Sequence, residues 1–264
     1  IEEVEARGHS CTGRAADVYK CFDHLNREVI YTLARRGGMP PKVLDAYRRF
    51  QEGLWVRNAV ADGLGRPYTK PFSIPQGDPL SMMLVAYIMR PWILSMRAHG
   101  VVARVLADDI LLIAHGLEHM ERYVNAFDHT HRYLKAMGSK LAADKSLIFS
   151  TVKAYRKLLA AKVWGTIGGV ITVVLHTRDL GSHLNTSGRC LAPTLTKRLD
   201  EATRLAWKLA RLPMETAKKA QTVQLKVHAG ALYGVEACMA SRRSLAQYRT
   251  AVVAALGGGK NNRS

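Results

Sequence analysis

The chain is short of acid. Its 264 residues include 21 Asp and Glu against 39 Lys and Arg, a formal net charge of +18. An excess of that size points to a polyanionic partner, nucleic acid first, and away from a cation-buffering protein. Cysteine is sparse as well. Cys11, Cys21, Cys190 and Cys238 lie far apart with no C-x-x-C pair, which excludes a disulfide framework and a zinc ribbon. That usage suits a reducing, intracellular compartment, nucleus or cytoplasm. Long apolar runs are missing too: the stretch from Val163 to Leu175 is broken by Gly165, Gly168 and Gly169, so no membrane span is expected. The start, "IEEVEARGHS", has neither a basic-then-apolar leader nor an initiator Met, and the chain reads as a fragment of a longer one. No internal repeat is evident. What is present is 48% hydrophobic residues, enough for a sizeable core.

The patterns along the chain predict an α+β fold. "AADVYKCF" (Ala15 to Phe22) reads as a short strand ending at a turn. Helices are expected from about His24 to Arg36, stopped by Gly37-Gly38 and Pro40-Pro41, and from Lys42 to Glu52. "LWVRNAV" and "RPYTKPFSI" flank the turn-rich "ADGLG" as a hairpin. A long helix follows, Pro79 to Ala98, with Asp78 as N-cap and Pro79 at its first position; it is apolar nearly all round and expected to be buried. Then come a strand-turn-strand, an amphipathic helix from Leu117 to Met137, the strand "KSLIFS", a helix from Ala154 to Trp164, and one or two strands in "GVITVVLHTRDLGSHL". From Thr194 to about Cys238 the pattern is helical and basic, and the tail "GGGKNNRS" reads as disordered. Alternating strands and helices of this order argue for a sheet with helices on one face, followed by a helical basic module. Positive charge is densest in that module: residues 190–264 carry 13 Lys/Arg and four Asp/Glu.

One stretch resists a purely structural reading. In "RVLADDILLIAHG", Asp108 and Asp109 sit side by side between aliphatic runs. Tight turns favour Asp, but two-residue hairpins prefer Asn-Gly or Asp-Gly to Asp-Asp. Asp17 ends another short apolar segment far upstream, and adjacent strands could bring it beside Asp108. Two like charges 4 Å apart repel by about 4 kcal/mol at an effective dielectric of ~20, so such a cluster is tolerable only around cations. Hard, oxygen-preferring Mg²⁺ fits, and a basic protein with a magnesium cluster suggests phosphoryl transfer on nucleic acid. His115 and His119 are four apart but lack the H-E-x-x-H glutamate; with His129 and His131 they are expected at the surface.

Four blocks occur in order: "DVYKCFD" (Asp17 to Asp23), "PQGDPLS" (Pro75 to Ser81), "LADD" (Leu106 to Asp109) and "ADKSLIFS" (Ala143 to Ser150). The set closely resembles the palm motifs of reverse transcriptases, especially those of non-LTR (LINE-like) retrotransposons and group II introns. "RDLGSHL" (Arg178 to Leu184) resembles the primer-grip segment, and "ALYGVEA" (Ala231 to Ala237) the Y-G-x-E element of LINE-like thumbs. The resemblance implies a right-hand polymerase palm, an antiparallel sheet with helices on one face, over residues 15–189. Residues 1–14 would be a remnant of fingers or linker, 190–256 a helical basic thumb-like region, and 257–264 a disordered tail. It implies RNA-directed DNA polymerase activity: dNTP addition to a DNA primer on an RNA template, with two Mg²⁺ ions (Mn²⁺ as a substitute) and no membrane partner.

The same resemblance assigns roles. Asp17 and Asp108 would hold both ions, helped by the Val18 carbonyl, with Asp109 in support. Phe22 stands where an aromatic steric gate would exclude a ribose 2′-OH. Gln76 and Gly77 would lie against the template base and nascent pair, Gly77 permitting close backbone approach. Asp78 reads as a helix cap. Lys145 would meet the triphosphate, neutralising charge or donating a proton to the leaving pyrophosphate. Lys20 reads as structural or backbone-contacting. Lys197, Arg198, Arg204, Lys208, Arg211, Lys218, Lys219 and Lys226 would track the template–primer backbone. The sequence departs from the pattern at Leu106, where an aromatic is usual beside the primer end, and ahead of Asp17, where only 16 residues stand in place of fingers. Those departures keep open a rival reading, a non-catalytic nucleic-acid-binding remnant of a retroelement. A two-metal nuclease is a weaker rival, since "PQGDPLS" has no role in it.

Overall fold

Strand β1 (Cys11–Asp17) lies at the centre of a five-stranded sheet in the computed structural model, which describes residues 4, 6–75, 77–142, 146–179, 182–186 and 192–257. Its neighbours are β5 (Asp109–His115) and β6 (Leu147–Ser150), both antiparallel to it. β4 (Val102–Leu106) extends the sheet beyond β5, and β7 (Thr172–Val173) closes the other side, parallel to β6. Side chains alternate faces along a strand. The pairs Thr12↔Ala114, Arg14↔Leu112 and Ala16↔Ile110 therefore put these six residues on one face.

That face is where the helices pack. They are α1 (Cys21–His24), α2 (Arg27–Arg36), α3 (Pro41–Glu52), α4 (Ser81–Ala98), α5 (His119–Ala136) and α6 (Lys153–Ala161). One core joins Ala16, Ile110, Leu112, Ala114 and Ile148 of the sheet to Ile30, Leu44, Trp92, Phe127 and Leu159 of the helices. The fold class is thus α+β, mostly antiparallel, with helices on one face. Trp92 is fully buried, and its indole N–H donates to Thr130 Oγ1 at 3.0 Å, so its burial leaves no polar atom stranded.

Several boundaries differ from the sequence reading. The helix expected from His24 breaks at Leu25, which is extended. Asn26 then caps α2, its side chain accepting the Glu28 N–H at 3.0 Å. The hairpin after α3 is formed by two-residue strands, β2 (Ala59–Val60) and β3 (Gly63–Leu64), both exposed, and by a further bridge between Val56 and Tyr68 on the same two arms. α4 is not buried all round: Met82, Met83 and Leu94 are exposed, because a helix lying on one side of a sheet has one side covered. The histidines are less superficial than expected. His119 is buried against Tyr155, and His115, His129 and His131 are half-buried.

The chain divides into two units, Ile1–Val174 and Leu175–Ser264. The second holds a hairpin, β8 (His176–Asp179) and β9 (Ser182–Asn185), then α7 (Pro193–Ala210) and α8 (Thr216–Thr222). α8 continues through a π-helical segment, Val223–His228, into α9 (Ala229–Leu232), and α10 (Arg242–Ala255) follows. Its own core joins Leu195, Leu199, Ala206, Val227, Ala231, Tyr248 and Val252. Lys197, Arg204, Lys208, Arg211, Lys218 and Lys226 are exposed. Arg198 and Lys219 are instead engaged within the unit, donating to the carbonyls of Tyr233 (2.6 Å) and Ala210 (3.1 Å). Among the described residues no helix is long and apolar enough to cross a membrane.

Candidate active site

β1 and β5 pair in a register that ends with Asp17 opposite Asp109, and β4 pairs with β5 up to Leu106 opposite Asp109. Leu106, Asp109 and Asp17 therefore form a row across three strands. By alternation that row lies on the face opposite the helices. Ala107 and Asp108 make the two-residue turn between β4 and β5, with Ala107 at φ +54°. The turn is tied to the end of β1: the Val18 N–H donates to the Asp108 carbonyl at 2.8 Å. On its other side, the Asp17 carbonyl accepts the Ala142 N–H at 2.8 Å. Asp17, Asp108 and Asp109 are all half-buried. Aliphatic residues of the same strands, Ala16, Ile110 and Leu112, anchor them from the core side.

The electrostatics record the convergence of two of these carboxylates. The buried Cys21 thiol is pushed up to about 12, by burial first and then by the charges of Asp108 and Asp17. Residues of two distant blocks thus act on one thiol. The carboxylates of Asp17, Asp108 and Asp109 and the Val18 carbonyl are hard oxygen donors of the kind Mg²⁺ prefers. Among the described residues no set of three or more His, Cys, Asp and Glu side chains converges on a point where a metal ion could sit.

The "PQGDPLS" block is placed by backbone bonds to the first block. Phe22, half-buried against the main core, accepts the Ile74 N–H at its carbonyl (3.0 Å), and Leu25 accepts that of Ser73 (3.0 Å). Gly77 is exposed at φ +87°, and nothing lies within 4 Å of where a Cβ would stand. Its backbone is therefore open to close approach. Gln76 and Lys145 lie outside the described residues. The helix begins at Ser81, three residues after Asp78, which corrects the expected start at Pro79. The Asp78 carboxylate still receives the backbone bond expected of a cap, and it is held by side chains as well. Oδ1 accepts the Leu80 N–H at 2.8 Å, and Oδ2 accepts Tyr47 Oη–H at 2.6 Å and Gln51 Nε2–H at 2.9 Å. Burial and this carboxylate raise the Tyr47 phenol well above its usual range. Arg27 completes the support, donating to the carbonyls of Ser73 and Gln51 at 2.9 Å each. Sequence reasoning missed Tyr47, Gln51 and Arg27, whose spacing on α2 and α3 carries no motif.

The family model described as reverse transcriptase (RNA-dependent DNA polymerase) matches residues 1–172. The chain belongs to the reverse transcriptase family. No curated protein sequence matches it. Among solved structures, apo telomerase from Candida tropicalis, truncated from its C-terminal domain, is similar over 67% of this chain and 34% of that one, with 10% identity and a TM-score of 0.48. Telomerase from Candida albicans, in complex with a TWJ fragment of telomeric RNA, is similar over 97% of this chain and 42% of that one, with 14% identity and a TM-score of 0.48. The reverse transcriptase chain described here therefore spans well under two thirds of the length of these telomerase chains. Within the family match fall the pairing of Asp17 with Asp109 and the Asp108 turn.

Proposed function

We propose that this chain is the palm and thumb-like part of an RNA-directed DNA polymerase from a LINE-like retroelement, extending a DNA primer on an RNA template. The observation that carries the reading is the direct bond between the Val18 N–H and the Asp108 carbonyl. It fastens the two aspartate-bearing blocks together inside the region the family model matches. Asp17 and Asp108 would hold the divalent ions, Mg²⁺ by donor chemistry, with the Val18 carbonyl as a further oxygen and Asp109 beside them. When bound, the ions supply charge neutralisation for the attacking and leaving oxygens of an in-line displacement. Phe22 would bar a ribose 2′-OH, Gln76 and Gly77 would support the nascent pair, and Lys145 would donate a proton to the departing pyrophosphate. The exposed cations of α7 and α8 would follow phosphates of the duplex.

The test is Mg²⁺-dependent dNTP incorporation on poly(rA)–oligo(dT). Wild type should extend the primer and Asp108→Asn should abolish extension. Phe22→Ala should admit ribonucleotides while leaving dNTP use in place. Template–primer binding with no incorporation under any divalent ion would instead mark the chain as a non-catalytic nucleic-acid-binding protein.

A further inference from the structure

Beyond Asp17 the chain runs on as an extended segment against residues 140–142. The Tyr19 N–H donates to the Lys140 carbonyl at 2.8 Å, the Ala142 N–H to the Asp17 carbonyl at 2.8 Å, and Val18 stands opposite Leu141. Val18 and Leu141 are both buried, at 2% and 8% exposure. By alternation, Asp17, Tyr19 and Lys140 project to the other side, away from the helices. There the Lys140 ammonium lies 4.9 Å from the centre of the Tyr19 ring and the Lys20 ammonium 5.5 Å from it. The His24 ring is 5.9 Å from the same ring. All four side chains are exposed.

Two ammoniums gathered on one aromatic ring repel each other, and the attraction of each to the ring is weak at an exposed site. An arrangement of this kind is completed by an anion. Among the described residues neither lysine forms an ion pair, and the nearby Asp23 is paired with Lys70 at 3.7 Å. The ring holds the ammoniums by their charge and leaves N–H donors free, which suits phosphate oxygens. The position, on the same side of the strand as Asp17 and two residues along, is next to the carboxylates and not on the far surface. A strand advances about 3.3 Å per residue, so a chain of phosphates can bridge the two places.

We propose that Lys20 and Lys140, gathered on Tyr19, form a phosphate platform beside Asp17 that takes the β- and γ-phosphates of the incoming nucleoside triphosphate and then the pyrophosphate product. The role rests on the polymerase reading above; the binding of a compact polyphosphate does not. A template–primer phosphate has the same chemistry, so the test has two arms. In the first, calorimetry measures inorganic pyrophosphate binding, with Mg²⁺, to wild type, Lys20→Gln, Lys140→Gln, the double variant and Tyr19→Leu. Lys42→Gln, an exposed lysine of α3, is the control. Each platform lysine should be worth about fivefold in affinity, ~1 kcal/mol, and the control nothing. In the second, template–primer affinity is measured for the same proteins and should not move. Where wild type incorporates dNTP, the double variant should raise KM for dNTP and weaken pyrophosphate inhibition at little change in kcat. Pyrophosphate binding that depends on both lysines without any incorporation would leave the platform standing and defeat the polymerase reading. Incorporation with an unaltered KM and unaltered pyrophosphate affinity in the double variant would overturn the platform and leave the polymerase. Loss confined to template–primer affinity would also overturn it, assigning the lysines to the duplex. Because all three side chains are exposed, unchanged thermal melting should accompany every substitution.

Discussion

Ala107 carries the turn that presents Asp108, and it does so at φ +54°, a left-handed conformation that costs an L-residue roughly 1–2 kcal/mol. Glycine would remove that strain but add freedom to the unfolded chain, so Ala107→Gly should shift stability by less than about 1 kcal/mol. Ala107→Val, β-branched in the same conformation, should cost more than about 1 kcal/mol. Urea unfolding followed by tryptophan fluorescence distinguishes the two. Cys21 gives a second prediction. Its folded-state value of about 12 stands above the ordinary 9, so the contribution is whole below pH 9 and is lost as pH rises toward 12. Cys21→Ala should flatten the alkaline fall in stability. Asp108→Asn should lower the thiol and speed its alkylation above pH 9; an unchanged alkylation rate would count against the closeness of the two groups. At this scale the sequence was most legible where chemistry leaves a motif, as at Asp17 and the Asp108–Asp109 pair. It was silent at Arg14, fully buried in the middle of β1. There the guanidinium meets His131 (3.2 Å), Ser146 (3.0 Å) and the Phe127 ring (4.6 Å), partners scattered through later parts of the chain.

The packing of α5 on β1 turns on that buried cation. Burial and then Arg14 push His131 down to about 4, from an ordinary 6.5. The neutral ring is favoured by folding, so its contribution is present above pH 6.5 and is lost as pH falls toward 4. His131→Gln keeps a side-chain acceptor for Arg14 without titrating. It should lower stability at neutral pH but flatten the acid limb of the pH–stability curve, measured by denaturant midpoints. Elements with strong periodicity were read to within a few residues: α3, α4 and α5 were expected over 42–52, 79–98 and 117–137 and occupy 41–52, 81–98 and 119–136. The start of β1 was not. Gly13 and Arg14 look like loop residues, yet the strand begins at Cys11. Gly13 is there because a Cβ would stand 2.3 Å from the Leu112 carbonyl oxygen and 2.5 Å from the Phe149 ring. Close approach between strands selects a residue that local propensity would reject. The short β2–β3 hairpin shows the reverse. Its alternation promised longer strands, but β2 and β3 are exposed two-residue pieces outside the main sheet, and the two arms meet again at the Val56–Tyr68 bridge without a sheet face to bury.

For the whole molecule, the net charge of +18 becomes a measurable dependence on salt. Each phosphate neutralised on duplex contributes about 0.9 to the slope of log affinity against log salt. Replacing Lys197, Arg204, Lys208 and Arg211 by Gln together should reduce that slope by up to about 3–4, with little change in sequence preference. An unchanged slope would place the duplex elsewhere. The two cores are separate sets of residues, so a cavity made at Trp92 and one made at Leu199 should have additive effects on stability. The central place of β1 bears on how the molecule is made. Its partners β5 and β6 come late in the sequence, and the Cys11 N–H bonds Thr151 Oγ1 across 140 positions. High contact order of this kind slows folding. During synthesis β1 emerges before both of these partners, and the aspartate row cannot assemble until β5 is delivered. A ribosome stalled before Ser150 would hold a chain with an open sheet edge, which makes this the stage where a holding chaperone, or aggregation, competes with the fold.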